Sequence, residues 1–149
     1  MEKRPEIDKR IKGHQGYGLI QVYTGNGKGK TTCALGVVIR ALGAGKKVGI
    51  VYFDKGGEDH YSERNVLDQM DGVTYVATGR NRIDSNTGRF DFSVQDSDKQ
   101  EAKRGLDEAR KMFDHEYDLV VFDEINSTTD LGMLDVQDVL SVIDEKSKK

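Results

Sequence analysis

Along the 149-residue chain, apolar positions fall into short β-prone runs separated by stretches of helical spacing. "GLIQVY" (Gly18–Tyr23) is a short strand-like run that enters a glycine-rich turn. Behind the turn, Leu35, Val38, Ile39 and Leu42 recur at i, i+3, i+4 and i+7, the period of one helix face, and Gly43 and Gly45 end it. "KVGIVYF" (Lys47–Phe53) is almost continuously apolar, the pattern of a strand buried on both faces. A helix is expected over His60–Met70 and a strand over "GVTYVAT" (Gly72–Thr78). The alternation then breaks in "GRNRIDSNTGRFDFSVQ" (Gly79–Gln95), an irregular segment with a turn signal at Ser85–Gly88. Irregular segments this long inside compact domains are usually functional or disordered. Ser97 with Gln100 resembles a capping box, and Ala102, Leu106, Ala109 and Phe113 form a helical stripe behind it. "YDLVVFDE" (Tyr117–Glu124) is a further buried strand that ends in two acids. Val136, Val139, Leu140 and Ile143 mark a last helix.

Strands alternating with helices imply right-handed crossovers and a mostly parallel sheet covered on both faces, an α/β architecture. Residues 1–17 are charged, lack a clean period and are expected to form a tail or a short peripheral helix; residues 18–149 form the domain. The formal charge of −3 provides no global basic field for nucleic acid, and no apolar run approaches a membrane span. No signal-peptide pattern is visible, so a cytoplasmic location is expected. The one cysteine, Cys33, excludes an internal disulfide framework and a multi-cysteine zinc site.

The informative stretch is "VYTGNGKGKTTCALG" (Val22–Gly36). A strand, a glycine turn and a helix opening near Lys30 and Thr31 make a phosphate cradle. Glycines let backbone N–H groups converge on phosphate oxygens, and the helix N-terminus adds partial positive charge. Lys30 reaches phosphate as a point charge, Lys28 adds a second ammonium, and the Thr31 hydroxyl is placed to bind Mg²⁺. The usual phosphate loop, G-x-x-x-x-G-K-[ST], wants glycine at position 24; this chain has Thr24 there and Gly25 one place later, so the loop is a variant. Glycine turns between strand and helix also arise for packing alone. The acids Asp123 and Glu124, ending a hydrophobic strand, shift the balance, because strand C-termini form the ligand edge of a parallel sheet. The expected ligand is a polyphosphate with its metal.

"TGNGKGKTT" resembles the variant phosphate loop of the P-loop class of ATP:corrinoid adenosyltransferases, and the likeness continues through "GAGKKVGIVYFDKGG", "YDLVVFDEINS" and "LGMLDVQDVLSVID". It spans roughly Gly18 to Asp144. The resemblance implies a RecA-like P-loop fold and transfer of the 5′-deoxyadenosyl group of ATP to cobalt(I) of a corrinoid, with triphosphate leaving. On the matching positions it implies that Gly25, Asn26, Gly27, Lys28, Gly29, Lys30, Thr31 and Thr32 bind ATP. It further implies that Asp123 and Glu124, with Thr31, hold Mg²⁺. Lys30 and Glu124 carry the catalytic weight, and Asn126 adds a polar contact. The partners so implied are ATP, a reduced corrinoid and a reductant such as a flavoprotein.

Asp54 and Lys55 follow the second strand on the same sheet edge, either as a plain strand-ending turn or in contact with ATP or corrin amides. Arg80, Arg82, Arg89, Phe90 and Phe92 lie in the irregular segment. Aromatics there suit a wide apolar corrin disc and could displace the lower cobalt ligand; a loop folded back on the core is the equal alternative. His14, His60 and His115 share no metal-ligand spacing, and Cys33 fits small-residue packing. Family members continue past the last helix into another strand with a T-G-R-type turn, whereas this sequence stops at "DEKSKK". A trimmed sequence and a version without that strand both fit, and an exposed sheet edge covered by a second subunit, hence a homodimer, is the resulting expectation. Two other readings stay open: a small P-loop kinase or NTPase, and a nucleotide- or corrinoid-binding module without turnover.

Overall fold

The computed structural model describes residues 18–57 and 61–146. The expected N-terminal tail and His60 lie outside them.

Among the described residues three parallel strands make the sheet, in the order β2-β1-β3: β1 is Val48–Tyr52, β2 is Val73–Ala77 and β3 is Leu119–Asp123. Val48, Ile50, Val51 and Tyr52 are all at most 1% exposed, as the continuous apolar run requires of a central strand with both faces covered. Alternation sorts them. Val48, Ile50 and Tyr52 face Val38 of helix α1 (Lys30–Gly43) and Leu67 of α2 (Glu63–Leu67). Val51, with Phe53 just beyond the strand, faces Ala102, Leu106, Ala109 and Met112 of α3 (Asp96–Asp114), and Val139 and Val142 of α5 (Val136–Asp144). A short helix, α4 (Ile125–Asp130), follows β3 directly. Removing a buried Val, Leu or Phe from water contributes about 1.5–3 kcal/mol each, so these two layers carry most of the stability.

Two glycines set how closely α3 approaches the sheet. A Cβ on Gly105 would lie 2.6 Å from the Phe53 ring, and one on Gly49 would lie 2.7 Å from Met112 Sδ.

Several expectations change. Gly18–Tyr23 is not a strand: it joins no ladder, and Leu19, Ile20 and Val22 are more than half exposed. β propensity reflects packing on a sheet, and among the described residues this run pairs with no strand that would supply it. The helix expected from His60 to Met70 shortens to Glu63–Leu67. In α1 the stripe holds at Val38, Leu35 and Leu42, but Ile39 is 49% exposed. In α5 the buried face is Val139 and Val142, while Val136 and Leu140 point outward. The box opening α3 is not Ser97 with Gln100 but Gln95 with Asp98, whose carboxylate accepts the Gln95 N–H at 2.8 Å. Asp98 prevails because Arg80 and Arg82 hold it in the interior.

Candidate functional site

The register aligns Tyr52 with Ala77 on one side and Asp123 on the other, so all three strands end at one edge. There the chain must turn sharply, and the two non-glycine residues with positive φ among those described, Asp54 (φ 51°) and Glu124 (φ 62°), both lie at that edge. Such a conformation costs of order 1–3 kcal/mol and clusters at functional sites.

The phosphate loop stands over the same edge. Gly25 (φ 134°) and Gly29 (φ 106°) adopt backbone angles that a side chain would resist. Gly29 caps α1, whose first closing hydrogen bond runs from Cys33 N–H to the Gly29 carbonyl at 2.8 Å. The N–H groups of Lys30, Thr31 and Thr32 therefore precede the intrahelical ladder, and the helix adds about half a positive charge at that mouth. No acid occupies the first turn to cancel it. Lys30 Nζ donates to the carbonyls of Gly25 and Gly27, each at 2.7 Å, which holds the loop closed around its own ammonium. An open hollow of about 300 Å³ is lined by Asn26–Thr32 and Glu124.

Beside it, at Thr31 and Glu124 of its lining, four side chains converge: Thr31, Lys55, Asp123 and Glu124. Thr31 Oγ1 lies 3.1 Å from both oxygens of Asp123 and accepts a hydrogen bond from Lys55 Nζ at 2.9 Å. Lys55 Nζ is also 2.6 Å from Asp123 Oδ2 and 3.3 Å from Glu124 Oε1. Ser127 Oγ donates to Glu124 Oε2 at 2.6 Å. Burial works against charge at Lys55, but its hydrogen bond to Asp123 and the two carboxylates outweigh it and hold the ammonium above its ordinary pKa. Burial likewise raises the Glu124 carboxyl, and Ser127 and Lys55 reverse that, leaving it below its ordinary value.

Hydroxyl and carboxylate oxygens are the donors that Mg²⁺ takes, typically one or two carboxylates completed by water and substrate phosphate. Thr31, Asp123 and Glu124 fit such an ion, and the Lys55 ammonium already stands at their meeting point as a stand-in cation. Among the described residues no group of three or more His, Cys, Asp or Glu gathers as a metal site.

The other candidates divide. Asn126 is exposed in the first turn of α4 and takes no part in these hydrogen bonds. Asp54 turns away to Arg82, whose Nε lies 2.8 Å from Asp54 Oδ1. Arg82 and Arg80 share Asp98, at 3.5 and 3.0 Å, and Arg80 also reaches Asp91 at 2.8 Å. This network fastens the irregular segment to the core, and an Ile83–Phe90 bridge closes a small hairpin in it. The hairpin presents Phe90 and Phe92, ring centroids 4.7 Å apart and 48% and 81% exposed. Arg64 carries no sequence signal, and Ser127, though within the resembling stretch "YDLVVFDEINS", is given no role by it. Arg64, 7% exposed, donates to the carbonyls of Lys55 and Gly57 at 2.7 and 2.8 Å and lies on the Tyr61 ring, 4.2 Å from its centroid.

A parallel sheet bearing a glycine loop, a bare helix mouth and a threonine–carboxylate pair at one edge defines a P-loop protein of the nucleotide-binding α/β class. The family model for ATP:corrinoid adenosyltransferase BtuR/CobO/CobP matches residues 16–149, and the chain belongs to that family of transferases. It is 35% identical over 147 residues to the corrinoid adenosyltransferase of Escherichia coli (strain K12), covering 96% of this chain and 70% of that protein. It is 33% identical to the Salmonella typhimurium corrinoid adenosyltransferase CobA, with 96% and 70% covered, and 33% identical to the Pseudomonas aeruginosa corrinoid adenosyltransferase, with 95% and 68% covered. Among the described residues no helix is long and apolar enough to cross a membrane.

Proposed function

We propose that this chain transfers the 5′-deoxyadenosyl group of ATP to cobalt(I) of a corrinoid, in the synthesis or salvage of an adenosylated corrinoid. The observation that carries the site assignment is the meeting of Thr31, Asp123, Glu124 and Lys55 under the glycine loop. In the reaction, reduced cobalt supplies the electron pair that bonds to C5′. The C5′–O5′ bond breaks, and its pair leaves on the triphosphate oxygen. No side-chain nucleophile is required, so the protein's work is to align C5′ with cobalt, receive the triphosphate and exclude water. Alignment can supply about 7–11 kcal/mol, and fixed positive charge around the leaving group adds to it.

In this reading the N–H groups at the mouth of α1, Lys28 and Lys30 hold the triphosphate, while Thr31, Asp123 and Glu124 hold Mg²⁺. The ion, when bound, neutralises charge on the leaving group. Glu124, hydrogen-bonded by Ser127 and held below its ordinary pKa, is a poor base. That suits an enzyme that would waste ATP by activating water. Asp54, paired to Arg82, serves the irregular segment instead of the nucleotide. The exposed Phe90–Phe92 pair offers a flat apolar platform for the corrin ring. A protein reductant of the flavoprotein class would supply the electron to cobalt. The outward Leu19, Ile20 and Val22 support a homodimer, which light scattering would test.

The test is to mix protein, MgATP and chemically reduced corrinoid and to watch for the light-sensitive alkylcobalt spectrum. Its appearance with equimolar triphosphate supports the assignment. Tight ATP binding without cobalt alkylation selects a binding module, and release of phosphate without corrinoid selects an NTPase.

A further inference from the structure

Lys55 occupies the point where a metal is wanted. An ammonium has three hydrogens to donate, and three oxygens surround this one: Asp123 Oδ2 at 2.6 Å, Thr31 Oγ1 at 2.9 Å and Glu124 Oε1 at 3.3 Å. These are the oxygens assigned above to the ion. The Lys55 side chain is 13% exposed and that of Asp123 8%, so water screens the contact little. An ammonium and a divalent cation cannot share those oxygens at such distances.

The main chain at Lys55 is not free to retreat. Its N–H donates to the Thr78 carbonyl at 2.8 Å, its carbonyl accepts from Arg64 Nη2 at 2.7 Å, and Gly56 packs against the backbone of Gly79. The Tyr52 and Tyr61 rings lie alongside, both centroids 5.8 Å from Nζ. Only the four-carbon side chain can turn, and Glu124, one of its partners, also lines the hollow under the glycine loop.

We propose that Lys55 is a built-in counter-ion that keeps Thr31, Asp123 and Glu124 together in the nucleotide-free protein and is exchanged for the metal when the metal–triphosphate binds. The ammonium then passes from the carboxylates to the incoming phosphate oxygens. A divalent ion arriving alone has to evict a cation that gains no new anion, so it binds weakly. Arriving with triphosphate, it finds a new partner for the evicted ammonium. Metal and nucleotide therefore bind synergistically, each strengthening the other by the same factor, and Lys55 enlarges that factor beyond what direct metal–phosphate coordination supplies. The proposal rests on the reading of this loop as a metal–triphosphate site. It assigns Lys55 a positioning and exchange role separate from the phosphate grip of Lys30.

The experiment titrates Mn²⁺, followed by electron paramagnetic resonance, into wild-type protein, Lys55→Met and Lys55→Arg, with and without a non-hydrolysable ATP analogue. Lys55→Met should bind Mn²⁺ alone at least tenfold more tightly than wild type, and the strengthening of Mn²⁺ by nucleotide should shrink at least tenfold. Lys55→Arg should keep the weak metal-alone binding. Unchanged Mn²⁺ affinity and unchanged synergy in Lys55→Met overturn the exchange while leaving the nucleotide site standing. Failure of wild type to bind the analogue with metal removes the nucleotide site itself. In wild type, needing no variant, a protected lysine ammonium signal in ¹⁵N NMR should be present in free protein, persist with Mg²⁺ alone and move with Mg²⁺ plus analogue. A signal that stays fixed under all three conditions overturns the exchange.

Discussion

Thr31 Oγ1 lies 3.1 Å from each carboxylate oxygen of Asp123, a residue 92 positions further along the chain. One contact ties the mouth of α1 to the end of β3 and so defines where a phosphate-bound metal would rest. In the proposed site the hydroxyl would serve the metal more than the fold. Thr31→Val should weaken Mg²⁺-dependent nucleotide binding by about 10–100-fold, the worth of a hydrogen bond to a charged group, and should change metal-free binding little. Calorimetry with Mg²⁺ and with chelator separates the two, and Thr31→Ser should restore the loss.

Among the described residues the Lys30 ammonium donates to the carbonyls of its own loop, Gly25 and Gly27. Lys30→Ala should therefore leave the melting temperature nearly unchanged. It should lower ATP affinity on the order of 100-fold, with or without metal, because a charge-assisted contact to phosphate is lost. Equal ATP affinity in the variant would remove Lys30 from the site.

Phe90 and Phe92 pack on each other, Phe90 about half exposed and Phe92 largely exposed to water. Their double replacement by Ala should change stability by no more than about 1 kcal/mol, as surface substitutions do. The Michaelis constant for corrinoid should rise while ATP binding stays constant. Unaltered corrinoid kinetics would exclude the pair from that role.

A Cβ on Gly56 would overlap the carbonyl of Gly79, and both partners are main chain with no soft side chain to yield. Gly56→Ala should destabilise the fold by at least about 2 kcal/mol. It should also shift Lys55, which precedes it. Urea melts measure the first effect; the weakened metal–nucleotide synergy measures the second.

Acid should loosen the segment that carries the aromatic pair. Ser93, through its hydroxyl and its N–H, and then Arg80 hold the Asp91 carboxyl at about 2. A folded pKa below the unfolded value means a contribution fully present above about pH 4 and lost as pH falls toward 2. Asp84 and Glu124 are lowered too and act in the same direction. Asp54, raised by burial, acts oppositely, its contribution fading as pH rises through its folded pKa. Urea midpoints should fall between pH 5 and pH 2, and Asp91→Asn should flatten part of that slope. An unchanged slope would show that Asp91 does not anchor the segment.

The linear chain by itself determined the α/β alternation, β1 through its unbroken apolar run, the α3 stripe, and the phosphate loop with its distant acids. These follow from local rules: side-chain periodicity, glycine backbone freedom and the placing of acids at strand ends. Tertiary structure alone decided the rest. Gly18–Tyr23 has strand composition but, among the described residues, pairs with no strand, and the Gln95–Asp98 box prevailed over Ser97 and Gln100 because two arginines hold Asp98. Asp54 and Lys55, adjacent in sequence, part company, one to Arg82 and the other to Asp123 and Thr31. Arg64 fixes the Lys55 carbonyl from a helix whose pattern gives no hint of it. Such choices depend on which charges meet out of reach of water, and that is set by the packing of segments remote from one another in the chain.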